Sequence, residues 1–275
     1  MNTKYLECWH LRKEFVTDKG KFVAVKDFTL NVAEGEFISI IGHSGCGKST
    51  ALSMIAGLYP LDGGGMILDN SEIVGAGTDR AVVFQSPNLL PWLTAIENVM
   101  LAVEQVMPRA TFDERYTTAA HWLCRVGLRR SLNNRPAELS QGMQQRVGIA
   151  RAFSLRPKVL LLDEPFGMLD SLTRIELQDV LLDVWGAHRI TALMVTHDVD
   201  EAVTLSDRIV MMTNGPAATI GRVLEVPFAR PRDRVELSES QAYADCRDQV
   251  LAFLAHPVAD VLSKSRPRDP IASPS

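Results

Sequence analysis

At 275 residues, with 46% hydrophobic and 23% charged side chains, the chain has the make-up of a soluble globular protein with ample core. A net charge of −4 argues against a nucleic-acid binder, which needs a basic face to meet phosphates. The four cysteines, Cys8, Cys46, Cys124 and Cys246, form no Cys-x-x-Cys pair, which excludes the usual zinc spacings and points to reduced thiols in a cytosolic protein.

The N-terminus, Met1 to Tyr5, lacks the apolar core of a signal peptide, and no window reaches ~18 consecutive apolar residues. Any membrane role must then come through a partner. Residues 4–34 carry short alternating runs, Phe22 to Val25 and Phe28 to Val32 among them. Turn-like Asp18-Lys19-Gly20 and Ala33-Glu34-Gly35 punctuate them, which predicts antiparallel hairpins.

Phe37 to Ile41 reads as a short buried strand and Ala51 to Ala56 as a helix ending at Gly57. Between them stands Gly42-His43-Ser44-Gly45-Cys46-Gly47-Lys48-Ser49-Thr50, the phosphate-loop pattern G-x-x-x-x-G-K-[ST] in the strand–turn–helix context it requires. Glycines let the backbone curl so that N–H groups point inward, and the helix N-terminus adds partial positive charge. Lys48 is placed to reach the β- and γ-phosphates of a bound nucleotide and Ser49 to put its hydroxyl on Mg²⁺. Cys46 lies beside that helix N-terminus, which predicts a lowered thiol pKa and alkylation that Mg-ATP prevents; a small buried space-filler is the alternative.

Met66 to Leu68 and Arg80 to Gln85 read as further strands. From Ser86 to about Arg156 the pattern turns helical, with Tyr116, Ala119, Ala120 and Leu123 on one stripe and a helix beginning near Thr94. Strand signals return at Val159 to Leu162, Ala192 to Val195 and Ile209 to Met212. A helix carrying Leu177, Val180, Leu181, Val184 and Trp185 lies between the first two. Alternating strands and helices imply a largely parallel sheet covered on both faces. Ser238-Glu239-Ser240-Gln241 fits a capping box before a last helix with Tyr243, Cys246, Val250, Phe253 and Leu254 on its apolar stripe. The segment 261–275 is expected to be a disordered tail.

The strand Val159 to Leu162 delivers Asp163 to the edge where Mg²⁺ would sit, and Glu164 follows it, which suits a carboxylate that polarises water. Taken alone, Gln85 reads equally as a strand-ending polar residue, His197 as a surface histidine and Ser140 as a helix N-cap.

In order along the chain, the phosphate loop, Gln85, Leu139-Ser140-Gln141-Gly142-Met143, Asp163-Glu164, Gly167-Met168-Leu169-Asp170 and Thr196-His197-Asp198 resemble the nucleotide-binding subunit of an ABC transporter. The resemblance covers residues 4–260 as one domain. It implies an α/β P-loop NTPase fold: a RecA-like core with a mostly parallel sheet, an antiparallel β subdomain, and a helical subdomain at about 86–156.

The resemblance also implies two ATP held between two subunits, an identical or homologous pair, with Ser140 and Gly142 reaching the γ-phosphate bound to the other copy. Ser49, Gln85 and Asp163 would surround Mg²⁺. Glu164, His197, Lys48 and Gln85 would be catalytic, with His197 on the γ-phosphate. Asp170 would lie at the dimer seam. Phe15 matches the aromatic that stacks on adenine, with a core role as the alternative and Phe22 as a rival.

Gln141 and Met143 depart from the commoner Leu-Ser-Gly-Gly-Gln signature and touch only local backbone geometry. A single nucleotide site with no membrane span implies a separate permease, docked near Ser86 to Thr94 where Trp92 is a groove or core candidate, and a solute-binding protein. The location implied is the cytoplasmic face of a bacterial inner membrane, with no nucleic-acid partner. Pro91-Trp92-Leu93-Thr94 and Met211 to Pro216 resemble the importers for nitrate, sulfonates, taurine, cyanate and bicarbonate. With Pro227-Phe228-Ala229-Arg230-Pro231-Arg232, the resemblance is closest to the nitrate/nitrite ATPase.

Overall fold

The computed structural model describes residues 4–18 and 20–256. The expected tail, 261–275, lies outside them. Strands β1 (Leu6–Thr17) and β2 (Gly20–Val32) form a long antiparallel hairpin, followed by β3 (Phe37–Ile41) and helix α1 (Lys48–Ile55). Then come β4 (Gly63–Leu68), β5 (Ser71–Glu72) and β6 (Arg80–Val83), and three helices, α2 (Ala95–Val106), α3 (Phe112–Arg125) and α4 (Gln141–Ser154). The chain continues through β7 (Val159–Asp163), α5 (Ser171–His188), β8 (Thr191–Val195), α6 (Val199–Leu205), β9 (Arg208–Met212), β10 (Ala218–Glu225), α7 (Arg234–Glu239) and α8 (Gln241–Ala255).

One sheet runs in the order β5-β4-β1-β2-β10-β9-β3-β8-β7-β6. Its β9-β3-β8-β7-β6 part is parallel throughout, while β1, β2, β4 and β5 pair antiparallel. The parallel strands are apolar on both sides because both sides are covered. Leu160 and Leu162 of β7 enter the core formed with α2 to α5, whereas Val159 and Leu161 face the core shared with α1 and the hairpin. A third cluster joins Ile41, Ile209 and Met211 to Ala202 and Val203 of α6 and Cys246 and Val250 of α8. Among the described residues no helix is long and apolar enough to cross a membrane.

Local chemistry sets the helix starts. Thr94 and Thr111 each accept from the backbone N–H three residues on, and the Glu at that position reaches back to the cap, which satisfies two otherwise orphaned donors at each helix. The cap expected at Ser238 for the last helix falls two residues later, at Ser240. Asp233 accepts from Val235 N and Glu236 N and starts α7, so Ser238 is already helical and Ser240 caps α8 instead. The two runs read between residues 22 and 32 are halves of the single strand β2, paired to β1 with irregular register.

Candidate functional site

Parallel strands put all their C-terminal ends on one edge, and the ligand crevice of an open α/β sheet lies outside that edge. Here β3 delivers the loop 42–47, β6 ends just before Gln85, β7 ends at Asp163 and β8 ends just before His197. Four motifs remote in sequence therefore meet along one rim.

The loop is shaped by left-handed backbone at Gly45 and Gly47, φ 76° and 96°. Only glycine is at ease at Gly47, where a Cβ would also stand 3.1 Å from Ala24 O and from Val25 Cγ2. Lys48 opens α1. It is buried, and its Nζ donates to Gly42 O and His43 O, both at 2.9 Å. Among the described residues Lys48 forms no ion pair. This cradle of backbone N–H groups with a buried ammonium satisfied only by neutral carbonyls fits a polyphosphate. His43, Ser44 and Gly45 are exposed at the rim, and Thr50 lies in the first turn of α1.

Ser49 Oγ donates to Asp163 Oδ1 at 2.8 Å, bridging α1 and β7. Burial raises the Asp163 pKa, opposed by the Ser49 hydrogen bond and by Lys48 and reinforced by Glu164. Hydroxyl, carboxylate and amide oxygens are the hard donors that Mg²⁺ prefers. Gln85 lies beside Gly167 and Glu164, since a Cβ on Gly167 would stand 3.3 Å from its Nε2 and 3.6 Å from Glu164 Oε2. Glu164 has φ 45°, an uncommon conformation for this residue, and its N–H donates to Val195 O at 2.9 Å. That turn brings Glu164 Oε2 to 3.2 Å from Nδ1 of His197, an exposed imidazole.

The other expected residues lie elsewhere. Ser140 caps α4, its Oγ accepting from Met143 N at 3.3 Å. Gly142 is buried in the first turn of α4, where a Cβ would fall 2.4 Å from Thr173 Cγ2. Neither hydrogen-bonds to the 42–50 loop of the same chain among the described residues. Gln145, one turn further, donates to Phe84 O at 2.9 Å and so ties α4 to the end of β6, next to Gln85. Asp170 caps α5 by accepting from Leu172 N and Thr173 N at 3.1 Å each. Exposed Met168 and Leu172 flank it. Phe15 is half-buried on β1, edge-on to Tyr59 at 5.6 Å, and stands opposite Phe22, which is 43% exposed. Trp92 is 65% exposed and so is no core residue.

Cys46 is corrected. Its side chain is buried under the loop, and desolvation raises its pKa although Lys48 pulls the other way. Burial of a small thiol outweighs the partial charge of the helix end. Cys8 and Cys246 are buried as well, and Cys124 is exposed. In native protein a thiol reagent such as Ellman's should titrate one fast equivalent, whose rate Mg-ATP leaves unchanged. Cys124→Ser should remove that fast phase, and its persistence in the variant would overturn the assignment.

The structural roles of Gly215, Asp198 and Glu201 escaped sequence reading. Gly215 packs on the phosphate loop, where a Cβ would meet Gly45 O at 3.1 Å and Cys46 Cα at 3.4 Å, so only glycine lets the 213–217 turn approach so closely. Asp198 caps α6 and Glu201 sits at its third position. The Asp-x-x-Glu spacing of a helix start was the available signal.

With this geometry in view, comparison with known proteins gives concordant results. The sequence profile of the ABC transporter family matches residues 25–167. The chain is 54% identical to the nitrate transport protein NasD of Klebsiella oxytoca over 243 residues, 88% of this chain and 93% of that protein. It is 51% identical to the nitrate import ATP-binding protein NrtD of Synechococcus elongatus, over 92% of this chain and 93% of that one. The bicarbonate transport ATP-binding protein CmpD of a Synechocystis species is 49% identical over 92% and 89%. Among solved structures, the dimeric post-hydrolysis state of the ATP-binding cassette MJ0796 bound to ADP and Pi superposes with a TM-score of 0.72 at 32% identity. It covers 82% of this chain and 100% of that one.

Proposed function

The chain belongs to the ABC transporter family and is an ATPase of that family, and we propose that it powers import of a small anion, nitrate or nitrite first, through a separate membrane permease. The observation that carries the anion is the 54% identity to NasD across nearly the full length of both proteins. Bicarbonate is the second reading, because CmpD is similar at 49%. The domain is taken as residues 4–260, with its helical portion at about 86–156.

Each site residue then has a task. The loop 42–50, with Lys48, holds the phosphates of ATP. Ser49, Gln85 and Asp163 supply oxygens for Mg²⁺, which when bound would neutralise charge on the β- and γ-phosphates. Glu164 accepts the proton of the attacking water, and His197 holds the γ-phosphate oxygen and the water's orientation. Ser140 and Gly142 act on the nucleotide of a second copy, with Asp170 at the seam. The cassette neighbours are dimers, which supports this arrangement. Phe15, or Phe22 opposite it, stacks on adenine. The subunit works at the cytoplasmic face of the membrane, where exposed Trp92 is available to the permease, and a solute-binding protein supplies the anion.

The test is reconstitution with the permease and solute-binding protein that this reading requires. Nitrate should stimulate ATPase activity of the complex several-fold over bicarbonate, cyanate, taurine and sulfonates. Stimulation by bicarbonate and not by nitrate would overturn the first reading and install the second.

A further inference from the structure

His197 stands at an exposed tip, its side chain 64% accessible, with Glu164 Oε2 at 3.2 Å. An imidazole so placed has little packing to fix it, so its geometry must come from the backbone beneath. That backbone is a closed set of hydrogen bonds. Asp198 N donates to Thr196 Oγ1 at 3.0 Å, Thr196 Oγ1 to Glu201 Oε2 at 2.6 Å, and Glu201 N to Asp198 Oδ1 at 3.0 Å. Gln178 of α5 donates to Glu201 Oε1 at 3.1 Å.

The second carboxylate oxygen of Asp198 is left for one more donor, and Arg174 supplies it. Arg174 Nη1 reaches Asp198 Oδ2 at 3.1 Å, while Nη2 turns back to Leu169 O at 3.3 Å. Arg174 Nε is buried with no hydrogen-bond partner among the described residues, and Glu201 Oε1 is 3.9 Å away. One planar guanidinium therefore joins the residue after His197 to the residue before Asp170. The loop of Leu169 includes Gly167, whose neighbours are Gln85 and Glu164. A lysine, as a point charge, cannot make this two-pronged bridge.

We propose that Arg174 is a positioning residue for ATP hydrolysis, locking the turn that carries His197 to the loop that ends in Asp170. It rests on the ATPase reading and on the role given to His197. Because Arg174 makes no contact with the 42–50 loop among the described residues, and reaches the turn of His197 only through Asp198, its loss should lower turnover far more than nucleotide affinity. Misplacing a reacting group by about 1 Å costs roughly 10²-fold.

The test uses the full chain, with steady-state ATPase and fluorescent-nucleotide titration for R174M, R174K, D198N and the R174M/D198N double variant. R174M should lower kcat roughly 10- to 100-fold while KM for ATP and nucleotide affinity stay within about twofold. R174K should recover only part of the loss, and the double variant should be no slower than the slower single one, because both break the same bridge. Unchanged kcat in R174M, multiplying losses in the double variant, or a fall in kcat matched by weaker nucleotide binding would each overturn the proposal. Should R174M fail to fold, R174K with D198N carries the same comparison. A wild-type chain that binds ATP and does not hydrolyse it would instead refute the ATPase reading, and this proposal with it.

Discussion

Glu164→Gln should bind ATP as tightly as the unaltered chain and hydrolyse it roughly 10²- to 10⁴-fold more slowly, the range that a positioned general base contributes. The substitution is close to isosteric. It keeps the bonds that set the turn, Glu164 N to Val195 O and Gly167 N to Glu164 O, and it leaves the backbone at φ 45° to those same constraints. What it removes is a carboxylate that accepts a proton, at a position 3.2 Å from His197. An amide can still hydrogen-bond water and cannot take its proton. ATP bound and not consumed should hold two copies together, so light scattering with Mg-ATP should show a dimer that the unaltered chain forms only transiently. Single-turnover kinetics with radiolabelled ATP decide the matter. Hydrolysis at the original rate would mean that another group takes the proton, and Asp163, held to Ser49, is poorly placed to do so.

The parts of this site that could be read from sequence are those in which one short stretch carries both the chemistry and its placement. The loop 42–50 announces itself because strand, glycine turn and helix are contiguous, and Asp163 because a four-residue apolar run aims it. Parallel strands then do the rest, since they share an edge by geometry. What could not be read depends on contacts between remote stretches. Strand β10 has Gly221, Arg222 and mixed polarity where a strand pattern should alternate, and it exists because β2 and β9 flank it. The burial of Cys46 depends on packing beneath the loop, which no local rule about helix N-termini contains. The Arg174 bridge joins residues 169, 174 and 198, and only folding brings the last of these near the first two. Ser140 and Gly142 show the opposite case. The resemblance implies a phosphate contact for them, yet neither hydrogen-bonds to the 42–50 loop of its own chain among the described residues, as expected if the task proposed for them belongs to a pair of chains.

Lys48→Ala should lose affinity for Mg-ATP by roughly 10²- to 10³-fold, and Lys48→Arg should not restore it. The buried ammonium is held by two carbonyl oxygens at 2.9 Å and by no carboxylate among the described residues. Two carbonyls orient a charge without neutralising it, so the positive charge remains for an anion to meet. Hydrogen bonds to charged groups are worth about 1.5–3 kcal/mol each, and losing two of them near the lower end, about 3–4 kcal/mol in all, at about 1.4 kcal/mol per decade gives the stated range. Arginine keeps the charge but brings a wider planar fork, and the slot between Gly42 O and His43 O is sized for a compact ammonium. Alanine also removes a buried charge, so its thermal unfolding temperature should fall little or rise, which separates a binding defect from a folding defect. Titration with a fluorescent ATP analogue, alongside thermal melts, reads both quantities. Unaltered affinity in Lys48→Ala would show that the loop backbone alone holds the phosphates. The contrast with Glu164→Gln is then the sharpest check of the division of labour along this rim. One variant should bind and not turn over, the other should not bind, and equal behaviour in both would erase the distinction between cradle and base.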